Sequence, residues 1–196
     1  VTYSVGGLIL SNSGAITANY WLSEIYDEEI SSAHRNADIH LHDLSMLTGY
    51  CAGWSLRQLI QEGLGGVAGK ITSAPAWHLA TLCNQMVNFL GVMQNEWAGA
   101  QAFSSFDTYL APFVRTDKLG YNEVKHCIES FVFGVNTPSR WGTQAPFSNI
   151  TLDWTVPADL ASQPCIVGGK TMNFTYGDCQ AEMDLINKAF IELIIE

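Results

Sequence analysis

The sequence predicts an α/β protein in which long helices pack around short buried strands. Apolar positions repeat with a helical period in the middle of the chain, and several short apolar runs are bounded by turn residues. Charged residues make up only 14% of the 196 residues and hydrophobic residues 47%. With so few charges, we expect much of the chain to be buried in a core or against neighbouring protein.

The N-terminal part is predicted to hold two helices followed by extended chain. The first helix is expected over 12–26 with Ser13 as its N-cap, and a second, shorter helix over 27–35. Two brief apolar segments, 37–41 and 50–56, have the length of buried strands or extended chain. The glycines between positions 63 and 69 lack the spacing of a nucleotide-binding loop, so they predict a flexible connection.

Three helices are predicted in the middle of the chain, over 74–98, 104–114 and 122–135. Pro75 suits the first turn of the longest helix. Pro112 should stop or kink the second helix. Asn122 is the expected N-cap of the third, with Glu123 in its first turn, and Pro138 bounds its end.

The last quarter is predicted to begin with a strand and to end with a helix. The segment 147–154 alternates between apolar and polar residues, which is typical of a strand. A polar connection containing Gly168 and Gly169 follows, and Asp178 is expected to cap the final helix.

Charge and composition exclude several classes of function. The chain has 19 acidic and 9 basic residues, a formal charge of −10, so we expect no direct binding to DNA or RNA, whose phosphates require clustered Lys and Arg. No apolar run approaches the roughly 20 residues that cross a bilayer, and no signal peptide is apparent. Five irregularly spaced cysteines without a Cys-x-x-Cys motif favour reduced thiols in a soluble, cytoplasmic protein.

Cys51 is the cysteine with the most suggestive surroundings. It follows a His-x-His-Asp cluster, formed by His40, His42 and Asp43, through a Gly-containing apolar stretch that is expected to keep water from the sulfur. The cluster could bind a metal, but the sequence has no second group with ligand spacing. A buried hydrogen-bond network that supports the start of the Cys51 segment is the favoured interpretation. From the residues alone, Cys51 is either a reactive thiol or part of the core.

A second group of polar residues lies between the third helix and the following strand, over 136–149. Its side chains can hydrogen-bond phosphates, sugars and amides, and one arginine can bind an anion through two donors. The candidate substrate-binding residues are Ser139, Arg140, Gln144, Ser148 and Asn149. Such connections commonly hold ligands in α/β folds, although the same polar groups could instead satisfy the loop's own backbone.

Several runs together resemble the catalytic subunit of the anaerobic (class III) ribonucleoside-triphosphate reductases. They are Asp38-Ile-His-Leu-His-Asp-Leu with Tyr50-Cys51, Leu110-Ala-Pro-Phe-Val114, Gly134-Val-Asn-Thr137 and Gln144-Ala-Pro-Phe147. The resemblance covers 1–196 as an internal segment of a longer protein. It implies part of a ten-stranded α/β barrel of the glycyl-radical type, without the ATP-sensing domain and the C-terminal glycyl-radical region.

The resemblance also implies the chemistry. In this family a glycyl radical passes its spin to a cysteine, and the resulting thiyl abstracts the 3′ hydrogen of a ribonucleoside triphosphate. A second cysteine, which Cys51 matches, supplies hydrogen on the opposite face as the 2′ hydroxyl is lost. The thiyl-bearing cysteine and the radical glycine match no position here, so the chain by itself is expected to be inactive.

The implied cofactors and partners follow from the family. A radical-SAM activase, which uses S-adenosylmethionine and an iron–sulfur cluster, generates the glycyl radical. Formate or a thiol protein is the reductant, and zinc is bound in the C-terminal region that the chain lacks. The helices over 85–114 match the part of the family that forms a homodimer and binds dNTP or ATP effectors.

Two other hypotheses remain open on the sequence. The chain could belong to a different glycyl-radical enzyme that acts on a small acid or diol. It could also be a truncated, non-catalytic remnant that only dimerises.

Overall fold

The computed structural model describes residues 4–97, 99–137 and 145–195. Eight α-helices in the described chain span Val5–Tyr20 (α1), Glu28–Arg35 (α2), Leu56–Glu62 (α3), Leu79–Met93 (α4), Phe106–Asp117 (α5), Tyr121–Val135 (α6), Ala158–Ala161 (α7) and Gln180–Ile195 (α8). The strands span Ala52–Trp54 (β1), Gln101–Phe103 (β2), Ser148–Ile150 (β3), Pro164–Val167 (β4) and Lys170–Thr175 (β5). A π-helical turn, Trp21–Ile25, extends α1, and a 3₁₀ turn, Tyr176–Cys179, precedes α8.

A three-stranded parallel sheet, in the order β1-β2-β3, confirms the α/β class. Two of the predicted extended segments, 50–56 and 147–154, contain β1 and β3, whereas 37–41 forms no strand and is largely exposed. β2 was not expected. Its three residues follow the run Ala98-Gly99-Ala100, a small-residue junction in which apolar and polar residues do not alternate. The described residues hold this sheet and one hairpin, so a ten-stranded barrel is not displayed by this part of the chain.

Helix α1 begins earlier than the sequence indicates. Ser4, rather than Ser13, is the N-cap, and its hydroxyl accepts a hydrogen bond from the Gly7 N–H at 2.9 Å. Two glycines in the first turn disfavour a helix there by intrinsic propensity, and the serine cap offsets part of that cost. The prediction for α2 is confirmed within one residue.

Helix α4 is shorter than predicted because the residues before it form hydrogen bonds with other parts of the chain. Pro75 lies outside the helix, and the neighbouring backbone carbonyls are already engaged. The Ala74 carbonyl accepts from Gln85 Nε2 at 2.7 Å, and the Ala76 carbonyl accepts from the Gly168 N–H at 2.9 Å. These tertiary hydrogen bonds hold the segment extended, and α4 starts only at Leu79.

Two further boundaries differ from the predictions. Helix α5 continues through Pro112 to Asp117, so the proline does not end it. Helix α6 is capped by Gly120 and not by Asn122. Glu123, in the first turn as expected, accepts the Gly120 N–H at 2.8 Å. Pro138 lies outside the described residues.

The polar connection at Gly168–Gly169 is the turn of an antiparallel hairpin formed by β4 and β5. Both glycines have positive φ, 60° and 71°, the backbone that a two-residue turn of this hand requires. A Cβ at Gly168 would also fall within 2.2 Å of the Trp77 ring. The hairpin therefore needs glycine here for both its turn and its packing.

The final helix is entered through a capping box, and Asp178 is not its N-cap. Thr175 is the N-cap of the 3₁₀ turn that precedes α8, and Asp178 Oδ2 accepts from the Thr175 N–H at 2.8 Å and from its hydroxyl at 2.9 Å. The backbone hydrogen bond, followed by that of the hydroxyl, lowers the pKa of Asp178. This stabilisation is therefore complete above the unfolded-state pKa and is lost as the pH falls through the folded-state value.

The hydrophobic core lies among α4, α5, α6 and α8, with β2 and β4 contributing residues from the sheet and the hairpin. Its largest fully buried side chains include Phe103, Phe106, Phe113 and Tyr176. No helix in the described ranges is long and apolar enough to cross a membrane.

One fully buried carboxylate, that of Asp107 in α5, joins three parts of this core. It accepts backbone N–H bonds from Asp153 (2.9 and 3.1 Å) and Trp154 (2.9 Å), just after β3. It also accepts from Asn187 Nδ2 in α8 at 2.9 Å and from the Thr108 N–H at 3.0 Å. Through these hydrogen bonds, Asp107 connects the sheet to two helices.

Replacement of Asp107 by alanine is expected to destabilise the fold strongly. It removes the acceptor of the partly buried N–H groups of Asp153 and Trp154 and of the buried Asn187 amide, each loss costing about 1–3 kcal/mol at most. We expect the free energy of unfolding to fall by roughly 3–5 kcal/mol in urea denaturation. Asp38→Ala, at an exposed aspartate, is the control and should change it little; equal effects of the two variants would contradict the assigned role.

Candidate functional site

Cys51 lies immediately before β1 and is exposed, whereas the other four cysteines are buried. The expectation that the apolar approach shields the sulfur is therefore not met by the described chain. Instead, the segment 48–51 packs against Glu96, Trp97 and Gly99. The Thr48 hydroxyl donates to the Glu96 carbonyl, and the Gly99 N–H donates to the Tyr50 carbonyl.

The sheet register assigns the residues around Cys51 to two faces. Gly53, Ala102 and Asn149 stand side by side on neighbouring strands. Cys51 lies just outside β1, two residues before Gly53. A Cβ at Gly53 would meet no atom within 4 Å. This face is therefore open and lined by small residues.

A cavity of about 460 Å³ lies over the carboxyl ends of β1, β2 and β3. Its lining residues are Gly53, Trp54, Ser55, Leu56, Ala102, Phe103, Ser104, Tyr109, Asn149 and Thr151. Hydroxyl and amide groups stand beside apolar surface, a combination common in small-molecule sites. Burial raises the pKa of Tyr109, and the nearby Arg57 opposes that rise, so this phenol stays protonated at neutral pH.

The predicted substrate-binding residues divide into three sets. Asn149 lines the cavity. Ser148 is half-buried and, by strand alternation, lies on the opposite face of the sheet. Ser139, Arg140 and Gln144 lie outside the described residues, so their participation stays a prediction.

The His-Asp cluster has a different form from the predicted one. His40, His42 and Asp43 are exposed, so no buried network forms around them. The rings of His40 and His42 meet edge to face at 4.7 Å, and His40 lies 5.7 Å from His34. His34 Nδ1 accepts the Leu41 N–H at 3.1 Å. Support of the Cys51 segment by these residues stays a prediction.

No group of three or more His, Cys, Asp or Glu in the described part of the chain could hold a metal ion. Three of the four buried cysteines, Cys83, Cys127 and Cys165, have a raised pKa. Burial raises the pKa of Cys83 and Cys127. Cys165 and Cys179 lie with their sulfurs 4.0 Å apart, and the hydrogen bond between them raises the pKa of Cys165.

Sequence reasoning missed the aromatic and amide groups behind the Cys51 segment. Trp97 and Trp54 meet edge to face at 5.8 Å, and Trp54 meets Phe89 at 5.4 Å. The Gly49 backbone approaches the Trp97 ring so closely that a Cβ would lie 2.3 Å from it. Gln101 is fully buried between Trp54 and Gly99. A glutamine beside a small-residue junction was the available signal.

The family model for anaerobic ribonucleoside-triphosphate reductase matches residues 1–196. No curated protein matches the chain. Among solved structures it is similar to the anaerobic ribonucleotide reductase from Thermotoga maritima in complex with dATP and CTP, with a TM-score of 0.76 and 21% identity. That match covers 97% of this chain and 35% of the other.

Other structures of the Thermotoga maritima protein agree. The one with MES in the active site gives a TM-score of 0.74 at 20% identity, over 97% of this chain and 34% of that chain. The one with dATP bound in the specificity site gives 0.67 at 20% identity, over 95% and 34%. At these identities the likeness establishes the fold, and the chain spans about a third of the length of these structures.

Under native, reducing conditions near neutral pH, one thiol should react rapidly with an alkylating reagent, because only Cys51 is exposed. The other four should react after denaturation. Cys51→Ser should remove the fast reaction, and Cys127→Ala should leave it. Mass spectrometry of the alkylated peptides distinguishes them, and rapid labelling of any buried cysteine would contradict the burial described above.

Proposed function

The chain belongs to the anaerobic ribonucleoside-triphosphate reductase family, and we propose that it forms one wall of a site that reduces ribonucleoside triphosphates to 2′-deoxyribonucleoside triphosphates. The observation that carries the proposal is the position of Cys51. It is the only exposed cysteine of the five, and it lies two residues before Gly53, which lines the 460 Å³ cavity. We further propose that 1–196 is part of a ten-stranded glycyl-radical-type barrel.

Cys51 is proposed to supply hydrogen to the sugar. In the family a glycyl radical, generated by an S-adenosylmethionine-dependent activase, provides the thiyl that removes the 3′ hydrogen. The Cys51 thiol then acts from the other face of the ribose, where its S–H gives up hydrogen as the 2′ hydroxyl leaves as water. Formate or a thiol protein restores the reduced state.

The burial of the other four cysteines leaves Cys51 as the one thiol of this chain that we propose to react with the substrate. Their low exposure keeps them from a substrate in the cavity. The thiyl-bearing cysteine is therefore proposed to come from another part of the enzyme. The chain alone is proposed to be inactive for that reason.

The substrate is proposed to lie along the small-residue face. Asn149 can offer an amide to the sugar or base, and the space left by Gly53 and Ala102 admits a ring. Ser139, Arg140 and Gln144 are proposed as further substrate contacts because hydroxyl, guanidinium and amide groups bind phosphates and ribose. Ser148, on the opposite face of the sheet, is not proposed to contact a substrate that lies along the small-residue face.

Effector binding and dimerisation are proposed for the same protein. The Thermotoga maritima structure with dATP in its specificity site is the supporting observation. We propose that the helices over 85–114 form the contact between the two subunits of a homodimer. We propose dNTP and ATP as effectors, without assigning individual contacts.

In the full-length enzyme, Cys51→Ala or Cys51→Ser should abolish dNTP formation while the glycyl radical still forms. The reason is that neither alanine nor serine can replace a thiol as hydrogen donor to a carbon radical. Electron paramagnetic resonance measures the radical, and product analysis measures turnover. Cys127→Ala is the control, and undiminished turnover in the Cys51 variants would contradict the proposal.

Asn149→Ala should weaken substrate binding. Loss of one hydrogen bond of about 1–1.5 kcal/mol corresponds to a rise in KM of roughly tenfold. Asn173→Ala, on the exposed strand β5, is a matched control in which KM should not change. An unchanged KM for Asn149→Ala would remove this residue from the substrate site.

A further inference from the structure

Gln101 is a fully buried amide whose two polar atoms are both engaged near Cys51. Its Oε1 accepts from the Trp54 indole N–H at 2.7 Å. Its Nε2 donates to the Gly99 carbonyl at 3.1 Å. The side-chain amide therefore connects β1, three residues after Cys51, to the backbone at Gly99. With both partners satisfied, its orientation is unique, because a flipped amide would place two donors together at Trp54.

Gly99 in turn lies directly against the Cys51 thiol. Its N–H donates to the Tyr50 carbonyl. A Cβ at Gly99 would lie 2.7 Å from Cys51 Sγ and 2.8 Å from the Tyr50 carbonyl oxygen. Both distances are shorter than real Cβ contacts allow, so no other residue fits without displacing the sulfur or the Tyr50 backbone.

We propose that Gln101 and Gly99 are positioning residues for Cys51, which set the location of its sulfur through one continuous contact. Gln101 holds the Gly99 carbonyl, Gly99 holds the Tyr50 carbonyl, and the Gly99 backbone closes one side of the thiol. The inference deepens the proposed function and rests on it, because positioning matters to catalysis only if Cys51 donates hydrogen.

The physical reason is that an exposed cysteine side chain otherwise has three staggered orientations about its Cα–Cβ bond. Contact with Gly99 restricts the sulfur on one side. Hydrogen transfer requires close approach of sulfur to carbon, and a misplacement of about 1 Å can cost around 100-fold in rate. Neither Gln101 nor Gly99 needs to touch the substrate for this effect.

The same segment is supported from its other side by aromatic rings. Gly49 contacts the Trp97 ring, and Trp97 packs against Trp54. Trp54 is also the donor to Gln101. Trp97 thus holds the indole of Trp54 in place, and that indole orients the Gln101 amide. The contacts between Gln101 and the Cys51 thiol are therefore supported by well-packed side chains.

The test compares Gly99→Ala and Gln101→Met with Gly120→Ala in the full-length enzyme. Gly120 is exposed, and a Cβ there would meet only Glu123 Oε2 at an ordinary 3.6 Å. We expect kcat to fall by about 30-fold or more in Gly99→Ala and by about tenfold in Gln101→Met, with KM changed less than about twofold. Gly120→Ala should retain both constants. The glycyl-radical yield should be unchanged throughout.

Alkylation of Cys51 in the same proteins provides a readout that does not depend on turnover. The methyl group of Gly99→Ala crowds the sulfur, so the native reaction should slow, while Gly120→Ala reacts as the unmodified protein does. A kcat within about twofold of the unmodified enzyme in both variants would overturn the inference. So would a loss confined to KM.

Two outcomes separate this inference from the proposed function. If Cys51→Ser retains turnover, the proposed function fails, and the alkylation rates still decide whether Gly99 positions the thiol. If Gly99→Ala does not fold, as judged by circular dichroism, Gln101→Met decides by its kcat. A folded Gln101→Met enzyme with unchanged kcat and alkylation rate would then overturn the inference.

Discussion

The carboxylate of Asp107 is the interaction on which the arrangement of the site depends. It lies in α5 and accepts hydrogen bonds from the backbone N–H groups of Asp153 and Trp154, which follow β3, and from the side-chain amide of Asn187 in α8. A buried carboxylate without these donors would destabilise the fold. The hydrogen bonds therefore favour the arrangement in which α5, α8 and the segment after β3 are in contact. Because β3 is thereby held beside α5, the cavity at the carboxyl ends of the strands has a defined wall.

The two faces of the parallel sheet have opposite properties, and that difference produces the site. One face carries Trp54, Gln101 and Phe103, which are packed against α4 and one another. The other carries Gly53, Ala102 and Asn149, which leave open space. A rigid, aromatic back supports a groove of small residues, so a ligand can approach the strands without disturbing the core.

The surroundings of Cys51 differ in kind from those that its sequence neighbours indicated. The adjacent histidines and Asp43 are exposed, whereas contacts from residues about 50 positions later hold the segment. Trp97, Gly99 and Gln101 supply those contacts. Parallel strands are joined by a long crossover, which here contains the helices α3 and α4 between β1 and β2. The residues beside the start of β1 therefore come from the end of that crossover and the start of β2.

Local sequence patterns predicted the α/β class, four of the eight helices (α2, α5, α6 and α8) to within a few residues, and Cys51 as the candidate reactive thiol. Helical periodicity, the position of Glu123 in a first helical turn and the motif runs are local signals, which can be read without knowing the distant partners of a residue. The start of α4 and the hairpin turn at Gly168 were decided only by the tertiary structure, as were the exposure of Cys51 and the role of Gln101. Each depends on a hydrogen bond or contact between residues far apart in the chain, such as Ala76 with Gly168 or Gln101 with Trp54. No local pattern records such partners, because their energies exist only once the chain has folded.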